Sequence, residues 1–131
     1  MAARGARKLS FLQWQQMTRK EFDKLVERAI RSIPARFRRR VNNLVFVVED
    51  EGPPGLLGLY QGRPLPKRSI FESFSGPDRI VIFQRPHERM AKNRDHLQQL
   101  VARTVWHELA HYFGFSEKKV RALEQRWGWR D

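Results

Sequence analysis

The sequence contains no cysteine among its 131 residues. This absence excludes a disulfide framework, thiolate zinc sites, iron–sulfur clusters and a cysteine nucleophile. A metal site in this chain must therefore be built from nitrogen and oxygen donors, which histidine, aspartate and glutamate provide.

Long apolar runs are also missing. The longest uninterrupted run, Leu44 to Val48, is five residues long, whereas a membrane helix needs about 20. The first residues carry no apolar stretch of the length that a secretory signal requires. We therefore expect a cytoplasmic protein that does not associate with membranes.

Acidic residues are few compared with basic ones. Lys and Arg number 26 against 14 Asp and Glu, which gives a formal net charge of +12. This balance favours anionic partners, but it also promotes solubility. The length and the 40% hydrophobic content predict one folded domain. We assign residues 1–17 to a basic N-terminal tail and residues 18–131 to a single domain.

An amphipathic helix is predicted directly after the tail. Thr18 and Glu21 have the spacing of a capping box, in which each side chain caps a free backbone amide of the other. Apolar residues then recur at helical spacing from Phe22 to Ile33. We expect this helix to end near Pro34.

Three strand-like segments follow, at residues 44–48, 56–60 and 80–83, separated by Gly- and Pro-containing turn clusters. A loop at 62–69 lies between the last two segments. Pro86 and the polar residues after it are predicted to close the strand region.

Two further helices complete the chain. Asn93 or Asp95 can cap the first, whose apolar stripe continues to Leu109 and which should end at Gly114. Ser116 can cap the second. Helices that are separate in sequence from a small group of strands predict an α+β domain.

The most informative segment lies on the first of these two helices. His107 and His111 are four residues apart, so both imidazoles lie on one helix face and can reach a single ion. Glu108 follows the first histidine and completes the HExxH pattern of two zinc ligands and a general base. This pattern predicts amide hydrolysis by a zinc-activated water whose proton Glu108 accepts.

The third zinc ligand is less strictly defined by the sequence. Gly114 permits a sharp turn after the helix, and Glu117 follows three residues later, which gives HExxHxxGxxE. Glu124 and His87 are alternatives. An acid in the first turn of a helix is also favoured by the helix dipole alone, so Glu117 has a second explanation.

Several segments together resemble those of a known family. They are Leu56 to Gly62 with Pro64, Leu65 and Arg68, then Pro77 to Phe83 with Pro86, and finally Thr104 to Gly114. With the HExxH motif, they make the chain similar to the minimal zincin family, small bacterial zincin-like metallopeptidases with the signature HExxHxxGxxD.

The resemblance implies a compact zincin-like core, in which a three- or four-stranded sheet packs with the HExxH helix and with N- and C-terminal helices. It also implies one zinc ion held by His107, His111 and the acid that ends the motif. The family usually has aspartate where this chain has Glu117, which is one methylene longer.

Substrate binding is less clearly indicated. An extended peptide or protein substrate could add beside an exposed strand edge, for which the strand at 80–83 is our candidate. The candidate groups to stabilise the reacting oxygen are Tyr60, Arg85, His87 and Tyr112. A monomer is expected.

Two other functions remain open. A non-catalytic zinc module would need no acid beside the first histidine, so Glu108 favours catalysis. A basic module could bind nucleic acid weakly and without sequence specificity through phosphate contacts. The arginines that would make these contacts are Arg36, Arg38, Arg39 and Arg40.

Overall fold

The computed structural model describes residues 17–64 and 76–127, and these residues form an α+β fold. This confirms the predicted fold class. In the described residues, five helices accompany a three-stranded sheet. The elements are α1 (Arg19–Ser32), α2 (Ala35–Arg38), β1 (Leu44–Glu49), β2 (Gly58–Gln61), β3 (Asp78–Phe83), α3 (Gln84–Met90), α4 (Arg94–Phe113) and α5 (Glu117–Arg126).

The third strand occupies the centre of the sheet. β1 pairs with β3 in parallel, and β2 pairs with it on the other side in antiparallel register. The expectation that residues 80–83 offer a free edge to a substrate is therefore wrong. All four of these residues are buried, and a short apolar run without alternation is typical of a strand that is covered on both faces.

The first helix packs against α4 and buries Phe22, Val26 and Ala29 in the shared core. Its predicted capping box is present, with the Thr18 hydroxyl accepting from the Glu21 amide and the Glu21 carboxylate accepting from the Thr18 amide. The helix ends at Ser32, two residues before Pro34, as the sequence predicts.

The segment after β3 forms a helix that the sequence did not predict. Residues 84–90 close the strand region, as expected, but they do so as helix α3. Pro86 lies in the first turn of α3, where a missing backbone amide breaks no helical hydrogen bond. The helix begins without a side-chain cap, so the usual sequence signal for its start is absent.

The start of the described chain is fixed to α3. The Met17 amide donates to the Glu88 carboxylate at 2.8 Å, and the Gln84 side-chain amide donates to the Met17 carbonyl at 2.8 Å. All three residues are buried. Residues 1–16 of the predicted tail and residues 65–69 of the predicted loop lie outside the described residues.

An aromatic cluster joins the last two helices. Trp127, after α5, packs edge to face on Trp106 of α4 with ring centroids 4.7 Å apart. Phe37 of α2 contacts both rings. This packing fixes the position of α5 relative to α4, and with it the position of Glu117 relative to the two histidines.

No helix in the described residues is both long enough and apolar enough to cross a bilayer.

Candidate metal centre

The two histidines are presented by the last two turns of α4. Asn93 caps this helix, its side chain accepting from the His96 amide, which settles the choice between Asn93 and Asp95. Because His107 and His111 are one turn apart, their ring centroids lie only 5.1 Å from each other.

A sharp turn brings the third donor to this pair. Gly114 ends α4 in the left-handed conformation at φ 74°, which glycine adopts without steric cost. Ser116 then caps α5, its hydroxyl accepting from the Lys119 amide, and Glu117 is the first residue of that helix. The Glu117 carboxylate oxygen Oε1 lies 4.0 Å from His107 Nε2.

The three side chains fit a zinc ion. Each offers one nitrogen or oxygen atom, and these atoms all lie within 4.8 Å of one another. Two donors about 2.1 Å from a tetrahedral ion lie roughly 3.4 Å apart, so small side-chain rotations would bring the set into coordination. The side chains of His107, His111 and Glu117 are 43%, 45% and 61% exposed, which leaves an ion free to enter.

The alternative third ligands do not join this cluster. Glu124 lines the same cleft, but it is absent from the set of mutually close donors. His87 is fully buried between α3 and α4, with Nδ1 2.6 Å from the Phe83 carbonyl and Nε2 2.8 Å from the Thr104 hydroxyl. Burial lowers the pKa of His87, so its imidazole is neutral at pH 7.

The carboxylate of Glu108 is held against strand β2. Its Oε1 accepts from the Tyr60 backbone amide at 3.0 Å and lies 3.2 Å from His111 Nδ1. The side chain is only 12% exposed, although it lines the cleft beside the histidines. Glu108 is thus a nearly buried carboxylate in a fixed orientation, one residue from a zinc-binding position.

A cleft of about 520 Å³ opens in front of these residues. Its wall on the sheet side is formed by residues 55–58, and the opposite wall by α4 and α5. The residues with ionisable side chains that line it are Arg103, His107, Glu108, Glu117, Arg121 and Glu124.

Comparison with known proteins places this arrangement in a family. The profile of a family described as zincin-like metallopeptidase matches residues 41–127, about two thirds of the chain. The chain belongs to the zincin-like metallopeptidase family. The matched range includes both histidines, Glu108 and Glu117.

Solved structures similar to this zincin-like protein include a conserved hypothetical protein from Thermo thermophilus. It has 28% identity, a TM-score of 0.48, and coverage of 83% of this chain and 99% of that chain. A search of the curated proteins returns no match.

The zincin-like cleft contains two arginines that the sequence interpretation missed. Arg103 is four residues before His107 on α4, and Arg121 is four residues after Glu117 on α5. The helical spacing that groups the histidines also brings these guanidinium groups toward the same cleft. A search of the sequence four residues before and four residues after each predicted ligand identifies both arginines.

The four candidate groups for stabilising the reacting oxygen are engaged elsewhere. The Tyr60 hydroxyl donates to Asp78, and the Tyr112 hydroxyl donates to the Asn42 carbonyl. His87 is buried as described above. The remaining candidate, Arg85, pairs with Glu88 at 2.7 Å. None of the four lines the cleft.

A glycine allows β2 to approach the HExxH helix closely. A Cβ atom built on Gly58 would lie 2.7 Å from the Thr104 methyl carbon, 3.1 Å from the Val81 carbonyl oxygen and 3.3 Å from Cγ of Glu108. Any larger residue would push the strand away from α4. This close contact is what allows the Tyr60 amide to reach the Glu108 carboxylate.

A Gly58→Ala variant should therefore unfold at lower temperature, because overpacking costs about 1–3 kcal/mol. Thr104→Ser removes the methyl group that meets the new Cβ and keeps the hydroxyl that contacts His87. We expect the double variant to recover part of the loss in thermal melts. Equal stability of Gly58→Ala and the unmodified protein would contradict the close packing.

Proposed function

We propose that this protein is a zinc-dependent peptidase that hydrolyses peptide bonds, with Glu108 as the general base. The observation that carries the proposal is the position of Glu108: a nearly buried carboxylate, oriented by the Tyr60 amide, beside a cluster of three metal donors. Glu108 also contacts His111 Nδ1, but a carboxylate that only oriented this histidine would not need to line the cleft.

His107, His111 and Glu117 would hold the zinc, which leaves one tetrahedral position open, as in catalytic sites. When bound, the ion would supply Lewis-acid activation of a water molecule and of the scissile carbonyl. The protein residues supply the proton transfer. The Oε1 atom of Glu108 continues to accept the hydrogen bond from the Tyr60 amide. The Glu108 carboxylate accepts a proton from the attacking water and passes it to the leaving amine.

The edge of β2 offers a path for an extended substrate. The Leu57 carbonyl accepts from the Phe83 amide, and hydrogen-bonded pairs alternate in antiparallel sheets. Gly58 and Tyr60 therefore direct their backbone groups away from β3. A peptide that pairs with this edge at Gly58 would pass close to Glu108, whose carboxylate occupies the Tyr60 amide two residues further along the strand.

We propose that an arginine of the cleft binds an acidic group of the substrate. Arg121 lines the cleft, and a guanidinium group binds a carboxylate with matched geometry. Peptides that carry an acidic side chain near the cleaved bond are thus the substrate class we propose.

Metal removal tests the proposal. We expect a zinc chelator such as 1,10-phenanthroline, followed by dialysis, to abolish hydrolysis of a peptide library, and one equivalent of zinc per chain to restore it. Mass spectrometry of the products measures the loss of hydrolysis and identifies the residues on either side of each cleaved bond. Full hydrolysis by the chelated, dialysed protein would contradict zinc dependence, and products without enrichment in acidic residues would contradict the substrate class.

A further inference from the structure

One face of the molecule is strongly basic and lies apart from the metal cleft. Residues 28–48 contain six arginines and no acidic residue. Arg36, Arg39 and Arg40 are exposed, and no carboxylate of the described chain pairs with them. Arg38 is also exposed, but its Nε donates to the Ile33 carbonyl at 2.8 Å and so helps to end α1.

Three cations on this face rest on aromatic rings that contact one another. The ring centroids of Phe37, Phe113 and Phe115 are 5.3–6.0 Å apart. The cations therefore belong to one continuous surface, and cation–π contact limits their freedom before any partner binds. The contacts are Arg36 on Phe37 at 4.7 Å, Arg40 on Phe113 at 5.7 Å and Lys119 on Phe115 at 4.0 Å.

We propose that this surface, which we call the basic face and define as Arg36, Arg39, Arg40 and Lys119, binds double-stranded nucleic acid through its phosphates. Arg36 and Arg39 are one helical turn apart, so both point to the same side. Guanidinium groups match phosphate geometry. Phe37 and Phe113 are buried beneath their cations, so the rings orient charge and are not free to stack on bases.

The distribution of apolar side chains argues against a membrane as the partner. Helices that lie on membranes insert large apolar residues among their basic ones. The exposed large hydrophobic residues of the described chain are Val45, Leu56 and Met90, and none of them belongs to the basic face.

The basic face and the metal centre are independent of each other. Glu117 and Lys119 are two residues apart on α5, about 200° around the helix axis, so they point to nearly opposite sides. Binding of nucleic acid therefore does not rest on the proposed peptidase activity, and Glu108→Gln should leave it unchanged.

Fluorescence anisotropy with a labelled duplex of about 20 base pairs tests the proposal between about 50 and 200 mM salt. If four phosphates are contacted, a plot of the logarithm of the association constant against the logarithm of the salt concentration should have a slope of about −3.6. The triple variant Arg36→Gln, Arg39→Gln, Arg40→Gln should bind at least about tenfold more weakly and lower the slope magnitude by about 2.7.

A matched control removes the same charge elsewhere. Lys20, Lys24 and Lys92 are exposed, and they lie near the opposite end of α4, a helix of about 30 Å. The variant with all three changed to Gln should keep most of the affinity and the slope. Far-ultraviolet circular dichroism confirms that both triple variants are folded.

Three outcomes would overturn the proposal. They are equal loss of affinity in the two triple variants, tighter binding to phosphatidylcholine–phosphatidylserine vesicles than to the duplex, and tighter binding to polyglutamate than to the duplex at the same salt concentration. The second would indicate a membrane partner and the third an acidic protein.

Discussion

A Glu108→Gln variant should lose peptide hydrolysis by at least about 10²-fold, the lower end of what a general base contributes. Glutamine keeps a carbonyl oxygen that can accept from the Tyr60 amide, so the side chain can stay in place while losing its ability to take a proton. Zinc content should remain that of the unmodified protein, because Glu108 is outside the donor set and the glutamine carbonyl oxygen can still accept from His111 Nδ1. Initial rates of peptide cleavage and metal analysis on the same sample measure both effects.

Glu124→Gln is the matched control for this prediction. Glu124 lines the same cleft and carries the same functional group, but it lies outside the cluster of metal donors. We expect its hydrolysis rate to stay close to that of the unmodified protein. Unchanged hydrolysis in Glu108→Gln would refute the assigned mechanism, whatever the control does.

The second large effect concerns the third metal ligand. Glu117→Ala should weaken zinc binding by at least roughly 100-fold, because even residues that only support a ligand are worth about 10–100-fold in metal affinity. Competition with a chromophoric chelator measures the change. Glu117→Asp should retain zinc, since aspartate is the usual residue at this position in the minimal zincins that the sequence resembles.

Glu124→Ala serves as the control for Glu117→Ala, because both residues lie on α5 and line the cleft. We expect its zinc affinity to be unchanged. If Glu124→Ala lost zinc and Glu117→Ala kept it, the third ligand would be Glu124, and the 4.0 Å approach of Glu117 to His107 would be an ordinary surface contact.

The parts of the site that could be predicted from the sequence depend on contacts between near neighbours. The HExxH spacing, the Gly114 turn and the Ser116 cap together place Glu117 beside His107, and all of them lie within eleven consecutive residues. Local geometry brings Glu117 near the histidines because a helix and its cap constrain side-chain directions. The packing of Trp127 on Trp106 then holds α5 in that position.

The rest of the site depends on contacts between residues that are far apart in sequence. Tyr60 reaches Glu108 through its backbone amide, a group that every residue except proline has and that carries no sequence signal. The central position of β3 likewise depends on pairing with both β1 and β2. Its run of apolar residues was compatible with a central strand, but the sequence alone did not exclude an edge.

The most direct test of the account is the zinc content of the purified protein, measured by mass spectrometry of the metal beside the His107→Ala variant. We predict close to one zinc per chain in the unmodified protein and in Glu108→Gln, and almost none in His107→Ala. A folded, unmodified protein that neither carries zinc nor takes it up when supplied would contradict the account.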